Sequence, residues 1–120
     1  MHWHIVDDQS FPYASTTYPL LSKLGSYNSK RAIYTQEDVQ HIIQYAKYRG
    51  IRVMPEYDMP AHTDSWFKGY PILKGNANCG FDPTKGTTYI FIENFLKEIR
   101  SVYPENYIHL GGLKVNFFHV

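Results

Sequence analysis

The sequence predicts an α/β fold in which parallel strands alternate with helices. Three short apolar segments, near residues 1–7, 51–57 and 107–111, read as strands, and the two longer segments between them repeat apolar residues at helical spacing. Right-handed crossovers make the strands of such a β-loop-α-β-loop-α-β chain parallel. Units of this size build either a (β/α)8 barrel or a doubly wound sheet. A barrel needs eight strands, so about three strands with two helices are a sector of one, an incomplete barrel with two open edges.

The first strand, His2-Trp3-His4-Ile5-Val6, starts directly after Met1 and ends in Asp7-Asp8. Its period of two places His2, His4 and Asp8 on one side and Asp7 opposite. The first helix follows: Thr35 is its N-cap with Asp38 three residues on, Val39, Ile42, Ile43 and Ala46 form its apolar face, and Gly50 stops it. The second strand runs into Pro55-Glu56-Tyr57-Asp58-Met59-Pro60-Ala61-His62, where prolines stiffen the turn. The second helix is expected from Thr88 to Tyr103, with Phe91, Ile92, Phe95, Ile99 and Val102 inward and Pro104 beyond. The third strand, from Tyr107, ends at Gly111-Gly112, small residues that let a ligand approach the backbone. Long polar loops, 8–34 and 58–87, follow the first two strands, and loops of that length usually carry function.

Composition narrows the classes. A chain of 120 residues with 43% hydrophobic content has material for one domain, 1–120, with an ordinary core. Its net charge of +1 comes from interspersed signs, which gives no stripe for nucleic acid. No apolar run reaches membrane-spanning length, and Met-His-Trp-His does not open a signal peptide. Aromatics reach 17%, which fits a carbohydrate cleft or a thick half-buried layer, the layer being the simpler account. Cys79 is the single cysteine, so no internal disulfide forms, and its default is a buried, inert thiol.

Two groups of residues could do chemistry. His2 and His4 on one strand face could begin a zinc or di-metal hydrolase site, with Asp7 or Asp8, His62 and His109 completing it. Around the second strand end, each residue has an ordinary alternative: Glu56 pairing with Arg52 or Lys47, Asp58 capping the turn, His62 as a surface imidazole. Gathered at the C-terminal ends of adjacent parallel strands, they read together as a site.

Three stretches carry a family resemblance: His2-Trp-His-Ile-Val-Asp-Asp-Gln-Ser-Phe-Pro12, Tyr45-Ala-Lys-Tyr-Arg-Gly-Ile-Arg-Val-Met-Pro-Glu-Tyr-Asp-Met-Pro-Ala-His-Thr63 and His109-Leu-Gly-Gly112. The chain resembles a β-N-acetylhexosaminidase of glycoside hydrolase family 20, most of all the animal-type lysosomal β-hexosaminidases. The resemblance implies strands two to four of a TIM barrel and a partial catalytic domain, a fragment that begins within one strand and stops just after another. It implies removal of terminal β-linked N-acetylhexosamine by substrate-assisted retention, the substrate's acetamido oxygen acting as nucleophile. No cofactor and no metal are implied. Partners would be N-acetylhexosamine-terminated glycans or glycoconjugates, members are often dimeric, and the location would be lysosomal or secreted.

In that family a Gly-Gly-Asp-Glu-Val motif supplies the Asp that orients the acetamido group and the Glu that protonates the leaving oxygen. This chain reads Gly111-Gly112-Leu113-Lys114-Val115. Leu113 cannot offset the charge of an oxazolinium-like intermediate, and an ammonium at Lys114, with an ordinary pKa near ~10.4, is a poor acid at neutral pH. The chain is therefore expected to be inactive alone. The resemblance marks Asp7, Asp58 and His62 as retained active-site support, with His4, Asp8, Glu56 and His109 as further candidates. The family's Cys-Trp pair falls at His119-Val120, which leaves Cys79 without a partner. Two other readings stand beside this one: a non-catalytic carbohydrate- or partner-binding remnant, and a metal-dependent hydrolase using His2 and His4.

Overall fold

The computed structural model describes residues 1–75 and 80–112. Its order is β1 (His2–Val6), α1 (Leu20–Gly25), α2 (Gln36–Lys47), β2 (Met54–Tyr57), α3 (Asp64–Gly69), a 3-10 turn (Pro71–Leu73) and α4 (Gly86–Val102). This is an α/β chain. Strands β1 and β2 pair in parallel, with His2 beside Met54, Trp3 beside Pro55, His4 beside Glu56 and Val6 beside Tyr57, and the register shifts between His4 and Val6.

The expected third strand needs correction. Among the described residues, 107–111 contributes an isolated parallel bridge, His109 to Glu56, in place of a strand. Three backbone hydrogen bonds still lay it against β2: His109 N–H to the Pro55 carbonyl (3.0 Å), Tyr57 N–H to His109 (3.0 Å) and Met59 N–H to Leu110 (2.9 Å). The ladder cannot continue because Gly111 and Gly112 take φ of 75° and 85°, outside the extended region.

The expectation of two helices is corrected as well. Helix α2 forms as the sequence implies: Thr35 Oγ1 accepts the Asp38 N–H (3.1 Å) while Asp38 Oδ2 accepts the Thr35 N–H (2.8 Å), and Val39, Ile43 and Ala46 are buried. Helix α4 starts at Gly86 and not Thr88, and buries Phe91, Phe95, Ile99 and Val102. The additional helices, α1 and α3, lie inside the segments expected to be loops and pack on each other through glycines. A Cβ at Gly25 would stand 2.5 Å from the Ser65 carbonyl oxygen, and one at Gly69 2.6 Å from that of Leu20. Six residues each, they are too short to show a helical period.

Most aromatics form the packing layer. Edge-on ring pairs run from Tyr13 to Tyr57 (5.5 Å), Tyr57 to Phe95 (5.1 Å), Phe95 to Trp66 (5.0 Å) and Trp66 to Phe11 (4.8 Å). A carboxylate sits at the edge of this layer. Glu98 of α4, buried, accepts the Tyr13 hydroxyl (2.9 Å), the Ser15 hydroxyl (3.0 Å), the backbone N–H of Thr16 (3.2 Å) and Thr17 (2.6 Å), and the Gln36 amide (3.1 Å). It ties the segment after β1 to both long helices. Among the described residues, no helix is long and apolar enough to cross a membrane.

Candidate active site

The site is built where β1, β2 and the 107–112 segment end side by side. Strand β1 delivers His4 and then Asp7 and Asp8; β2 delivers Glu56 and then Asp58; the turn after β2 delivers His62; the third segment delivers His109 and the glycine pair. Period-two counting placed Asp7 away from His4. The strand ends at Val6 after its register shift, and Asp7 turns back so that its Oδ2 lies 3.0 Å from His4 Nε2.

Three donors fix the Asp7 carboxylate. Its Oδ1 accepts the Asp8 N–H (2.8 Å) and His62 Nδ1–H (3.1 Å), and its Oδ2 accepts from His4. Burial pushes the Asp7 carboxyl up, but the hydrogen bonds from His4 and the Asp8 backbone, with the charges of His4 and His62, hold it below the usual carboxylate range. His62 reaches Asp7 from a left-handed backbone, φ 58°, unusual for a residue with a Cβ. Asp8 Oδ2 lies 3.4 Å from the same His62 nitrogen, and Asp8 Oδ1 accepts the N–H of Asp64 at the start of α3.

Glu56 is the second centre. His4 Nδ1 lies 3.2 Å from its Oε2, His2 Nε2 bonds to the same oxygen, and His109 Nδ1 lies 3.1 Å from its Oε1. Although burial pushes Glu56 up, the bonds from His4 and His2 hold it low. His4 is raised, first by its bond to Asp7 and, against some burial, by Glu56. The expected pairing of Glu56 with Arg52 or Lys47 does not occur. Arg52 instead donates to Glu105 (Nε to Oε2, 2.9 Å), a partner sequence reasoning missed.

Asp58 is buried, at 5% exposure, and its Oδ1 accepts the Gly112 N–H (3.2 Å). It does not cap its own turn. A Cβ at Gly111 would overlap the Asp58 carboxylate, so the close approach requires glycine there. Leu113 and Lys114 follow directly in the sequence and, like Cys79, His119 and Val120, lie outside the described residues.

Donor atoms within 4.8 Å of one another form three sets: His2, Glu56 and His109; His4, Glu56 and Asp58; and Asp7, Asp8 and His62. His2 and His4 therefore fall in separate sets among the described residues. His2, His4 and His62 already face carboxylate oxygens at hydrogen-bond distance, and His109 Nδ1 accepts the Gly111 N–H (3.0 Å), so an ion would have to displace these protons. A groove of about 410 Å³ runs past His4, Asp7, Gln9, Tyr27, Arg31 and Tyr34 on the outer side of β1.

Carboxylates and imidazoles gathered at parallel strand ends, with glycine backbone beside them, form a site of the kind enzymes build on α/β folds. The model of the glycosyl hydrolase family 20 catalytic domain matches residues 1–117, and the chain belongs to that family. It is 52% identical to the Beta-hexosaminidase subunit beta of Mus musculus over 126 aligned positions, covering 98% of this chain and 23% of that protein. It is 50% identical to the Homo sapiens subunit beta, covering 98% of this chain and 22% of that protein. A crystal structure of beta-N-acetylhexosaminidase from Bacteroides fragilis superposes with a TM-score of 0.82 at 37% identity, over 92% of this chain and 25% of that one. The chain thus spans about a quarter of the length of the relatives it matches.

Proposed function

We propose that residues 1–120 are part of a β-N-acetylhexosaminidase catalytic domain, corresponding to strands two to four of its TIM barrel, that holds the supporting half of the glycosidase site. The observation that carries this is Asp58 gripping the Gly112 N–H while Asp7 holds His62 nearby. Asp58 thereby sets the direction of the backbone that enters positions 113 and 114, where family members place their acetamido-orienting Asp and proton-donating Glu. Asp7 and His62 form the polar pair that would support such an acid.

With Leu113 and Lys114 in those places, the chain lacks both the charge that steadies the acetamido-derived cation and the proton for the leaving oxygen. Loss of a general acid alone costs about 10²–10⁴-fold in rate. The groove beside Asp7 is open, whereas a sugar pocket buries most of its ligand. The reading is therefore a hexosaminidase-family chain, directed by descent to N-acetylhexosamine-terminated glycans in a lysosomal or secreted setting, and inactive by itself.

The test is hydrolysis of a chromogenic β-N-acetylglucosaminide by the purified chain and by the double variant Leu113→Asp, Lys114→Glu. No turnover by the chain as it stands is expected, and turnover by it would overturn the account of Lys114. Activity confined to the double variant would place the whole defect in those two residues. A second reading, a carbohydrate-binding remnant, is favoured by the intact Asp7–His62 and Asp58–Gly112 contacts. It requires N-acetylglucosamine to shift the NMR signals of His62 and Gly112.

A further inference from the structure

His4 has a carboxylate oxygen at each ring nitrogen: Nε2 lies 3.0 Å from Asp7 Oδ2 and Nδ1 3.2 Å from Glu56 Oε2. The Asp7 contact is a hydrogen bond and the Glu56 contact an ion-pair distance; a carboxylate offers no proton, so both are attractive together only when both nitrogens carry protons. We propose that His4 is a positioning residue of the site, a doubly protonated imidazole that braces Asp7 of the β1 end against Glu56 of β2 and so aims the other Asp7 oxygen at His62. The proposal rests on the reading of Asp7 and His62 as the support of the glycosidase site and adds the residue that holds this support in place.

The geometry gives the brace its direction. Glu56 is the fixed end, 7% exposed and also held by His2. Asp7 is the movable end, with its side chain 36% exposed just past the last strand residue. Without His4, Asp7 Oδ1 keeps the Asp8 N–H and His62, but Oδ2 loses its partner and the carboxylate is pinned at one oxygen only. The bond to His62 Nδ1 is then weakened, with Asp8 Oδ2 at 3.4 Å as the remaining acceptor. The charged and titratable groups around His4 are Asp7 and Asp8 on its own segment, Glu56 and Asp58 from the β2 end, His2 on the same strand face, His62 and His109 beyond the carboxylates, and Tyr27, Arg31 and Tyr34 across the groove. The acids next to the ring outnumber the cations in direct contact with it, and His4 is raised accordingly, first through its bond to Asp7.

The experiment is ¹⁵N-histidine NMR on the purified chain and on His4→Ala, read at the two ring nitrogens. The unmodified chain at neutral pH should show both His4 nitrogens protonated, and neutral His62 in the Nδ1–H form. In His4→Ala, the share of the Nδ1–H form of His62 should fall toward the Nε2–H preference of a free imidazole, while His41, exposed on α2, stays unchanged. A singly protonated His4 ring in the unmodified chain overturns the proposal, and so does a His62 tautomer indifferent to the loss of His4. If His4→Ala does not fold, the ring protonation of the unmodified chain decides. Neither signal involves a sugar, so failure to bind N-acetylglucosamine would refute the carbohydrate reading and leave this brace standing.

Discussion

Replacing Glu98 with Ala is expected to cost about 3 kcal/mol of folding stability. The Tyr13 hydroxyl, at full burial, loses its acceptor, an orphaned buried donor taken at its lower cost of about 1 kcal/mol. The Ser15 hydroxyl, also buried, adds about 1 kcal/mol, whereas the partly buried Thr16 and Thr17 N–H groups can find water and add about 0.5 kcal/mol each. At roughly 4 °C per kcal/mol for a chain of this size, the melting temperature should fall by about 12 °C. Glu98→Gln keeps one accepting oxygen but turns an amide N–H₂ toward hydroxyl and N–H donors, and should lose about half as much. Burial pushes the Glu98 carboxyl up, but its bonds from Thr17, Tyr13 and Ser15 hold it below its ordinary 4.5 in the folded chain. Its contribution is therefore complete above that unfolded value and disappears as pH falls through the lower folded one. Calorimetric melts of both variants across pH 3–7 check this. A loss under about 1 kcal/mol at pH 7, or a difference from the unmodified chain that grows on acidification, would refute the reasoning.

Gly111→Ala should cost at least about 2 kcal/mol, because φ of 75° penalises a Cβ and that Cβ would overlap Asp58, whereas Gly50→Ala, at φ 67° with nothing within 4 Å, should show the backbone penalty of about 1 kcal/mol alone. Chemical denaturation of the pair separates the two effects. His62→Gly should be more stable than His62→Ala by about 1 kcal/mol, since both lose the imidazole and only Ala keeps the left-handed strain; equal midpoints would remove strain from the account. Arg52→Ala should leave the denaturation midpoint unchanged, its side chain being 71% exposed in the pair with Glu105. Dialysis against a chelator should leave the melting temperature unchanged, and a fall would return the His2, Glu56 and His109 set to consideration as an ion site.

What the sequence disclosed follows from how local each signal is. The capping box of Thr35 and Asp38 and the apolar stripe of α4 involve neighbours a turn apart, and both appear in the structure as read. The site residues were legible as a group because they lie in three contiguous stretches. Their contacts were not: Asp7 meets His62 across 55 residues and Asp58 meets Gly112 across 54. Glu98 was invisible for the same reason, since its partners 13–17 sit more than eighty positions away and a glutamate on a helix normally faces water. The short helices α1 and α3 are made by packing against each other through Gly25 and Gly69, and no periodicity of six residues announces that.

The polar cluster is a poor device for stability, and this argues for function. Glu56 and Asp58 are carboxylates at under a tenth exposure, and a buried ion pair rarely outperforms an apolar pair of the same size. His62 adds a left-handed backbone worth about 1–2 kcal/mol of strain, and its bonds to Asp7, at a side-chain exposure of 32%, are too wet to offset much more than that. The edge-packed rings of Tyr13, Tyr57, Trp66 and Phe95 supply the stabilisation that tolerates these groups. A fold that gathers two buried carboxylates and a strained histidine at strand ends, around glycine backbone, departs from local consistency where a ligand could profit from it. Leu113 and Lys114 follow that arrangement in the chain, so under the proposed function the supporting cluster can be measured separately from turnover.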